Sequence, residues 1–290
     1  MRFRELFFTG VKMYIIGKNN KNAVALKDIR CFVLDMDGTI NLGDTLIEGA
    51  MDFITLLQNR GVKYFFFTNN SSKAPDDYVQ KLRRLGFKGV TRQHIMTSGD
   101  VMIHYIKSKK SAPEVYLAGT PELERQFSDA GISLLPHGCE NADFAVLGFD
   151  TTFDFVKADN LARLVSMGVP FLATNIDRVC PLEGGRFWPD CGSMAAMIAH
   201  ATGIEATFVG KPFKETVDYI LARTKEDPRN VAMVGDRLYT DIKTAVNGGI
   251  IGIAVLSGEI SMDDIENGDV APDYILNSVG DIYRQLTEAE

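Results

Sequence analysis

Cysteine is scarce and scattered in this chain. Its four residues, Cys31, Cys139, Cys180 and Cys191, form no CxxC pair. That spacing gives no zinc signature and no disulfide framework, and favours free thiols in a reducing compartment, the cytoplasm. Long apolar runs are missing too: none approaches the 18 or more residues that a membrane-spanning helix needs. Positive charge is in deficit, with 31 Lys and Arg against 38 Asp and Glu and a net charge of −7. A broad electrostatic grip on nucleic acid is therefore not expected, and an anionic ligand would have to be held by a local cation or a metal. Solenoid repeats and low-complexity tracts are also absent.

What is there suits a globular protein: 46% hydrophobic and 24% charged residues in 290, a length that fits two compact units. Residues 1–29 stand apart by their basic bias. Ala23-Val24-Ala25 imitates a signal-peptidase site. Lys12, however, interrupts the apolar stretch, and Lys18 to Lys21 occupy the place where it should end. A loosely tied N-terminal extension is expected there rather than a secretory signal.

Beyond it, short apolar runs alternate with segments of helical period. Runs at 31–34, 64–67, 115–117, 144–147, 171–173, 207–209, 231–234 and 250–255 read as buried strands. Between them, 51–60, 76–85, 122–130, 154–167, 193–202, 216–224 and 240–247 read as helices, many closed by a glycine: Gly61, Gly86, Gly131, Gly168, Gly203 and Gly248. Strands alternating with helices predict an α/β fold of parallel sheets wrapped by helices. The polar stretches 107–113 and 203–205 are candidate boundaries.

Four strand ends carry chemistry, and ligands of open α/β sheets sit outside the carboxyl ends of their strands. Asp35-Met36-Asp37-Gly38-Thr39 follows the first run. Asp35 and Asp37 can reach one small site, where two close carboxylates recruit a hard cation such as magnesium, and Gly38 lets the backbone approach a phosphate. Alone, the string could equally be a turn. Thr68-Asn69-Asn70-Ser71-Ser72 follows the second run as a neutral anion cradle or, more plainly, a helix-capping segment. Lys211, after 207–210, can neutralise a phosphoryl group, although a lone lysine is usually a solvated one. Asp236 leaves the 231–234 run and Asp241 falls in the first turn of the next helix, where an acidic residue also suits the helix dipole.

In type, order and placement these four segments resemble the motifs of the haloacid dehalogenase superfamily. Thr68-Asn69-Asn70-Ser71, Gly210-Lys211-Pro212 and Gly235-Asp236-Arg237-Leu238-Tyr239-Thr240-Asp241 look like its NagD-type branch, which includes p-nitrophenyl phosphatases. The resemblance runs from about residue 30 to the end. It implies a doubly wound core at 30–110 and 205–290 with an inserted α/β cap at 111–204, the segment 1–29 lying outside. It also implies a phosphatase of small phosphorylated metabolites. Asp35 would be the nucleophile, Asp37 the acid and then the base, and Thr68 and Lys211 would hold the phosphoryl group. Magnesium would be bound by the Asp35 carboxylate, the Asp37 carbonyl and the Asp236 carboxylate, with Asp241 behind them. Asp37 separates the chain from the dehalogenases, which lack that second Asp.

The cap segment Ala173-Thr174-Asn175-Ile176-Asp177, with Arg178 and the loop to Asp190-Cys191-Gly192-Ser193, resembles the loop that meets substrate. Asp190 stands where the branch often has glycine. Arg178, Arg186 and Trp188 could touch the leaving group, exposed loop residues being the plainer reading. Caps of this branch often pair two subunits. A phosphomutase or phosphotransferase would carry the same motifs. A receiver-type phosphoacceptor domain would be much shorter and would lack a cap-sized insertion, and a pseudoenzyme would be missing a catalytic position.

Overall fold

In a computed structural model of the chain, residues 3–8, 11–16 and 24–288 are described, the first two stretches as strand paths only. Residues 1–2, 9–10 and 17–23, Ala23 among them, lie outside the described residues. The chain forms two compact units: one of residues up to Thr68, Val79–Ile95 and from Val217 onward, the other of Asn69–Tyr78 and Met96–Thr216.

The first unit is built on a parallel sheet. Its strands lie in the order Tyr274–Leu276, Ile251–Val255, Val231–Gly235, Cys31–Asp35, Lys63–Thr68, with Ile95–Thr97 at the edge. The first five strands pair in parallel throughout. The hairpin Phe3–Phe8 and Val11–Ile16 adds antiparallel at the other edge, through Tyr274↔Ile15 and Ile275↔Tyr14. Part of the expected loose extension is thus a strand pair on the sheet. Cys31–Leu34 and both strands Val231–Gly235 and Ile251–Val255 are wholly buried, which is why they read as unbroken apolar runs: helices cover both faces of a parallel sheet. The chain enters at Cys31–Asp35, steps to Lys63–Thr68 on one side, and later returns to Val231–Gly235 on the other. A crevice opens at such a switch point, at the carboxyl ends of the strands. Asp35, Thr68 and Asp236 all stand at that end.

The second unit has its own five-stranded sheet, ordered Thr207–Phe208, Phe171–Ala173, Phe144–Leu147, Glu114–Ala118, Ser133–Leu134, all parallel. Tyr116, Leu147, Phe149, Leu161, Leu164, Phe171 and Ile198 form its core between that sheet and the helices Phe155–Ser166 and Cys191–Thr202. The hairpin Val179–Pro181 with Phe187–Pro189 stands exposed beside it.

The structure differs from the expected boundaries. Thr207–Phe208 pairs with Leu172–Ala173, so it belongs to the second sheet and not to the first, and a boundary at 204/205 separates hydrogen-bonded strands. At the other end, 107–109 is the last turn of the helix Ser98–Lys109 and not a linker. This helix joins the second unit because Gln126 donates to Thr97 and Asp100 at its start. The closing glycines expected at 61, 86, 131, 168 and 203 all take positive φ; where Gly248 was expected, the helix runs through that residue and Gly249 closes it, at φ +61°.

Candidate active site

Within the first unit, the carboxylates of Asp35, Asp236 and Asp241 each offer an oxygen, and these lie within 4.8 Å of one another. The local chain explains the convergence. Asp35 ends its strand, and Asp236 follows the neighbouring one. Asp241 is carried back by a π-turn, Leu238–Ile242, in which the Asp241 and Ile242 amides both donate to the Arg237 carbonyl, at 3.1 and 3.2 Å. Such one-turn π segments recur at functional sites. The Asp241 carboxylate accepts from the Arg237 amide at 3.2 Å, and a Cβ on Gly235 would fall 2.2 Å from the Asp241 carboxyl carbon.

Asp236 is buried. One carboxylate oxygen, Oδ2, accepts from the Glu259 amide at 2.8 Å; the other, Oδ1, is buried with no hydrogen-bond partner among the described residues. Burial and then the charge of Asp241 push its pKa up to about 6. Two glycines make room for it. A Cβ on Gly38, at φ +93°, would lie 2.2 Å from Asp236 Oδ2, and one on Gly258 would lie 1.9 Å from the same atom. The close approach seen at Gly38 is therefore to a carboxylate of the cluster. The Gly38 carbonyl accepts from the Ser257 hydroxyl at 2.7 Å.

These residues fit a magnesium ion. Three carboxylates are gathered with no His or Cys among them, and an orphaned buried oxygen on Asp236 needs a positive partner. The Asp37 carboxylate stands outside the group. It is 55% exposed, and its Oδ1 takes both the Asn41 side-chain amide at 2.8 Å and the Lys81 ammonium at 3.1 Å. Thr68 is buried at the end of its strand.

In the second unit Asn69, Asn175, Asp177 and Lys211 come together. Asn69 Nδ2 donates to Asp177 Oδ2 at 3.0 Å and to the Lys211 carbonyl at 3.1 Å, and Asn69 Oδ1 accepts from the Lys211 amide at 2.9 Å. Asn175 donates to the Asn69 carbonyl at 3.0 Å and accepts from the Asp177 amide at 2.9 Å. Lys211 is only 2% exposed, which removes the reading of a solvated surface lysine. Asn70 instead serves its own loop, its Oδ1 accepting from the Ser72 amide and hydroxyl at 2.9 and 2.7 Å. Arg178 and Arg186 are exposed, as are Phe187 and Trp188, at 63% and 47%.

Asn41, Lys81, Ser257, Gly258 and Glu259 escaped the sequence reading, and Arg237 was read only as part of its motif, with no role. Ser257, Gly258 and Glu259 carried a usable signal, since they too follow the end of a predicted strand. Lys81 carried none: it reaches Asp37 from a helix 44 residues on.

Comparison with known proteins supplies the family. Residues 32–133 match the model of haloacid dehalogenase-like hydrolases, and 208–282 match a HAD-hydrolase-like model. The chain is 32% identical over 265 residues to an acid sugar phosphatase of Staphylococcus haemolyticus, covering 91% of this chain and 98% of that one. It is similar in structure to a 4-nitrophenylphosphatase from Thermotoga maritima, with a TM-score of 0.85, 37% identity and coverage of 90% and 98%. NagD from Escherichia coli K-12 gives 0.79, 26%, 87% and 97%. The chain belongs to the haloacid dehalogenase-like hydrolases. Within them its structural neighbours are the NagD and p-nitrophenyl phosphatase proteins, and it is an enzyme of the phosphatase class. Among the described residues, no helix is long and apolar enough to cross a membrane.

Proposed function

We propose that the chain hydrolyses small phosphomonoesters, sugar phosphates among them, through a phosphoryl group carried on Asp35, with magnesium as cofactor. The observation that carries the reading is the group of Asp35, Asp236 and Asp241 at the carboxyl end of the first sheet, beside an Asp37 whose carboxylate faces solvent. The names of its relatives, acid sugar phosphatase and 4-nitrophenylphosphatase, support the substrate class.

Asp35 attacks phosphorus, forming an acyl phosphate as the bond to the leaving oxygen breaks. Asp37 gives that oxygen a proton and then takes one from the water that hydrolyses the intermediate. Asn41 and Lys81 both meet Oδ1 of Asp37, which leaves Oδ2 to carry the proton. The Thr68 hydroxyl donates to a phosphoryl oxygen and Lys211 offsets its charge. Magnesium, held by Asp35, the Asp37 carbonyl and Asp236 with Asp241 close behind, supplies positive charge against the phosphoryl oxygens when bound. The cap lies within the second unit, and the loop from Asn175 to Ser193 meets the leaving group. We further propose a cytoplasmic enzyme, suited to four free cysteines, with two subunits pairing through the cap and no nucleic-acid or membrane partner.

The test is phosphate release from a panel of phosphomonoesters by the purified protein, in magnesium and in excess chelator. Release in magnesium, lost in chelator and restored by the ion, is expected. Full activity in chelator contradicts the metal assignment, and no release from any monoester contradicts the activity.

A further inference from the structure

The Asn69 side chain is spent on the protein itself. A primary amide carries the same donor and acceptor as a peptide group, and Asn69 uses both against a single residue 142 positions away. Its Oδ1 accepts from the Lys211 N–H at 2.9 Å and its Nδ2 donates to the Lys211 C=O at 3.1 Å. The second Nδ2 proton goes to Asp177 at 3.0 Å, so both amide protons are committed. The amide is anchored in turn, because the Asn69 carbonyl accepts from Ser98 Oγ at 2.5 Å and from Asn175 Nδ2 at 3.0 Å. The residue is 6% exposed. Nothing in that arrangement leaves the side chain to face a phosphate, where the anion-cradle reading of 68–72 put it.

The approach is also tight. A Cβ on Gly210 would lie 2.3 Å from the Thr174 carbonyl oxygen and 3.0 Å from Asn69 Oδ1, so the chain before Lys211 lies flat against both. Val209 is fixed on either side, its amide donating to the Ala173 carbonyl at 3.1 Å and its carbonyl accepting from Thr216 Oγ1 at 2.9 Å. Asp would supply the acceptor without the donor, and Gln would place the same amide one methylene further out.

We propose that Asn69 is a positioning residue for Lys211: its amide clamps the lysine's main chain and thereby fixes where the ammonium is presented. The proposal rests on the assignment of Lys211 to the phosphoryl group made above. It separates from a general structural role because it requires the effect of the Asn69 amide on turnover to disappear once the Lys211 ammonium is gone.

A double-mutant cycle tests it, with Asn69→Ala, Lys211→Met and the pair, in magnesium. Two readouts are taken: kcat/KM on p-nitrophenyl phosphate, and the affinity for inorganic phosphate by calorimetry. Asn69→Ala is expected to lose on the order of 10- to 100-fold in kcat/KM, as partners that orient functional side chains do. In the Lys211→Met background the same substitution is expected to change both readouts by less than about twofold, the spread within which independent effects add. Losses that multiply in the double variant overturn the proposal, as does an Asn69→Ala protein that equals the unsubstituted one while Lys211→Met is impaired. A Lys211→Met protein that binds phosphate and turns over normally overturns the assignment of Lys211 itself. If Asn69→Ala does not fold, Asn69→Ser takes its place in the cycle; if neither folds, the residue holds the fold and the proposal fails.

Discussion

At the scale of the residue, Asp236 shows most plainly how the site is balanced. Its carboxylate is buried beside that of Asp241, and burial first, then that charge, raise its pKa to about 6 from 3.8. The native state therefore holds the proton more tightly than the unfolded chain. Without metal, stability is highest below the unfolded value and falls as pH climbs from 3.8 to 6, by about 3 kcal/mol once both states are ionised. A divalent ion reverses the penalty by replacing the proton. Thermal melts in chelator and in magnesium, at about pH 5 and about pH 7.5, should show the larger rise in Tm at the higher pH. An equal rise at both would contradict the placement of the ion beside Asp236. Cys31 and Cys191 give a second reading. Both are buried and pushed up to about 12, chiefly by burial, so they stay neutral thiols at neutral pH and do not alkylate. Mass spectrometry after alkylation of the native protein should find label on the half-buried Cys139 and Cys180 alone; label on Cys191 would contradict its burial.

Elements set where those residues meet, and here the sequence was legible in parts. The central strands of both sheets could be read because burial on both faces makes an unbroken apolar run, as in 231–234. Ile95–Thr97 and Tyr274–Leu276, three residues each, were not read as strands. The helix Val279–Glu288 follows the second of these without a closing glycine. The motif residues at strand ends were legible for a physical reason: parallel strands deliver all their carboxyl ends to one edge. Asn41 and Lys81 were not, because a polar residue's partner is set by the fold and not by its neighbours. The pairing of Thr207–Phe208 with Leu172–Ala173 was hidden likewise, since nothing local to 207–209 says which sheet will take it. One packing contact of elements is testable. The helices Ala50–Arg60 and Val279–Glu288 meet at glycines, and a Cβ on Gly49, at φ +81°, would fall 2.4 Å from Gly280 Cα. Gly49→Ala should cost about 3 kcal/mol from left-handed strain and backbone displacement together, read as a lowered denaturation midpoint; an unchanged midpoint would contradict that contact. In the second unit, the hairpin Val179–Pro181 and Phe187–Pro189 exposes Phe187 and Trp188. Trp188→Ala should reorder kcat/KM across phosphomonoesters more than it lowers the rate on p-nitrophenyl phosphate. An unchanged ranking would move specificity off this hairpin.

The whole molecule divides its labour between two units. The first gathers three carboxylates beside an exposed Asp37, the groups that in the proposed function meet only the phosphoryl group and the ion. The second holds the Lys211 main chain through Asn69 and exposes an apolar hairpin, which the proposed function assigns to the leaving group. The proposed chemistry depends on Asp35, which ends a strand of the first sheet, supplies a cluster oxygen and, in the proposal, the attacking one. The most direct measurement is phosphate release from p-nitrophenyl phosphate by Asp35→Asn beside the unsubstituted protein, both in magnesium and both shown to be folded by circular dichroism. An amide cannot take the phosphoryl group and is a poor ligand for the ion, so the account predicts a loss of at least about a thousandfold in kcat. Release at a rate near that of the unsubstituted protein would contradict it.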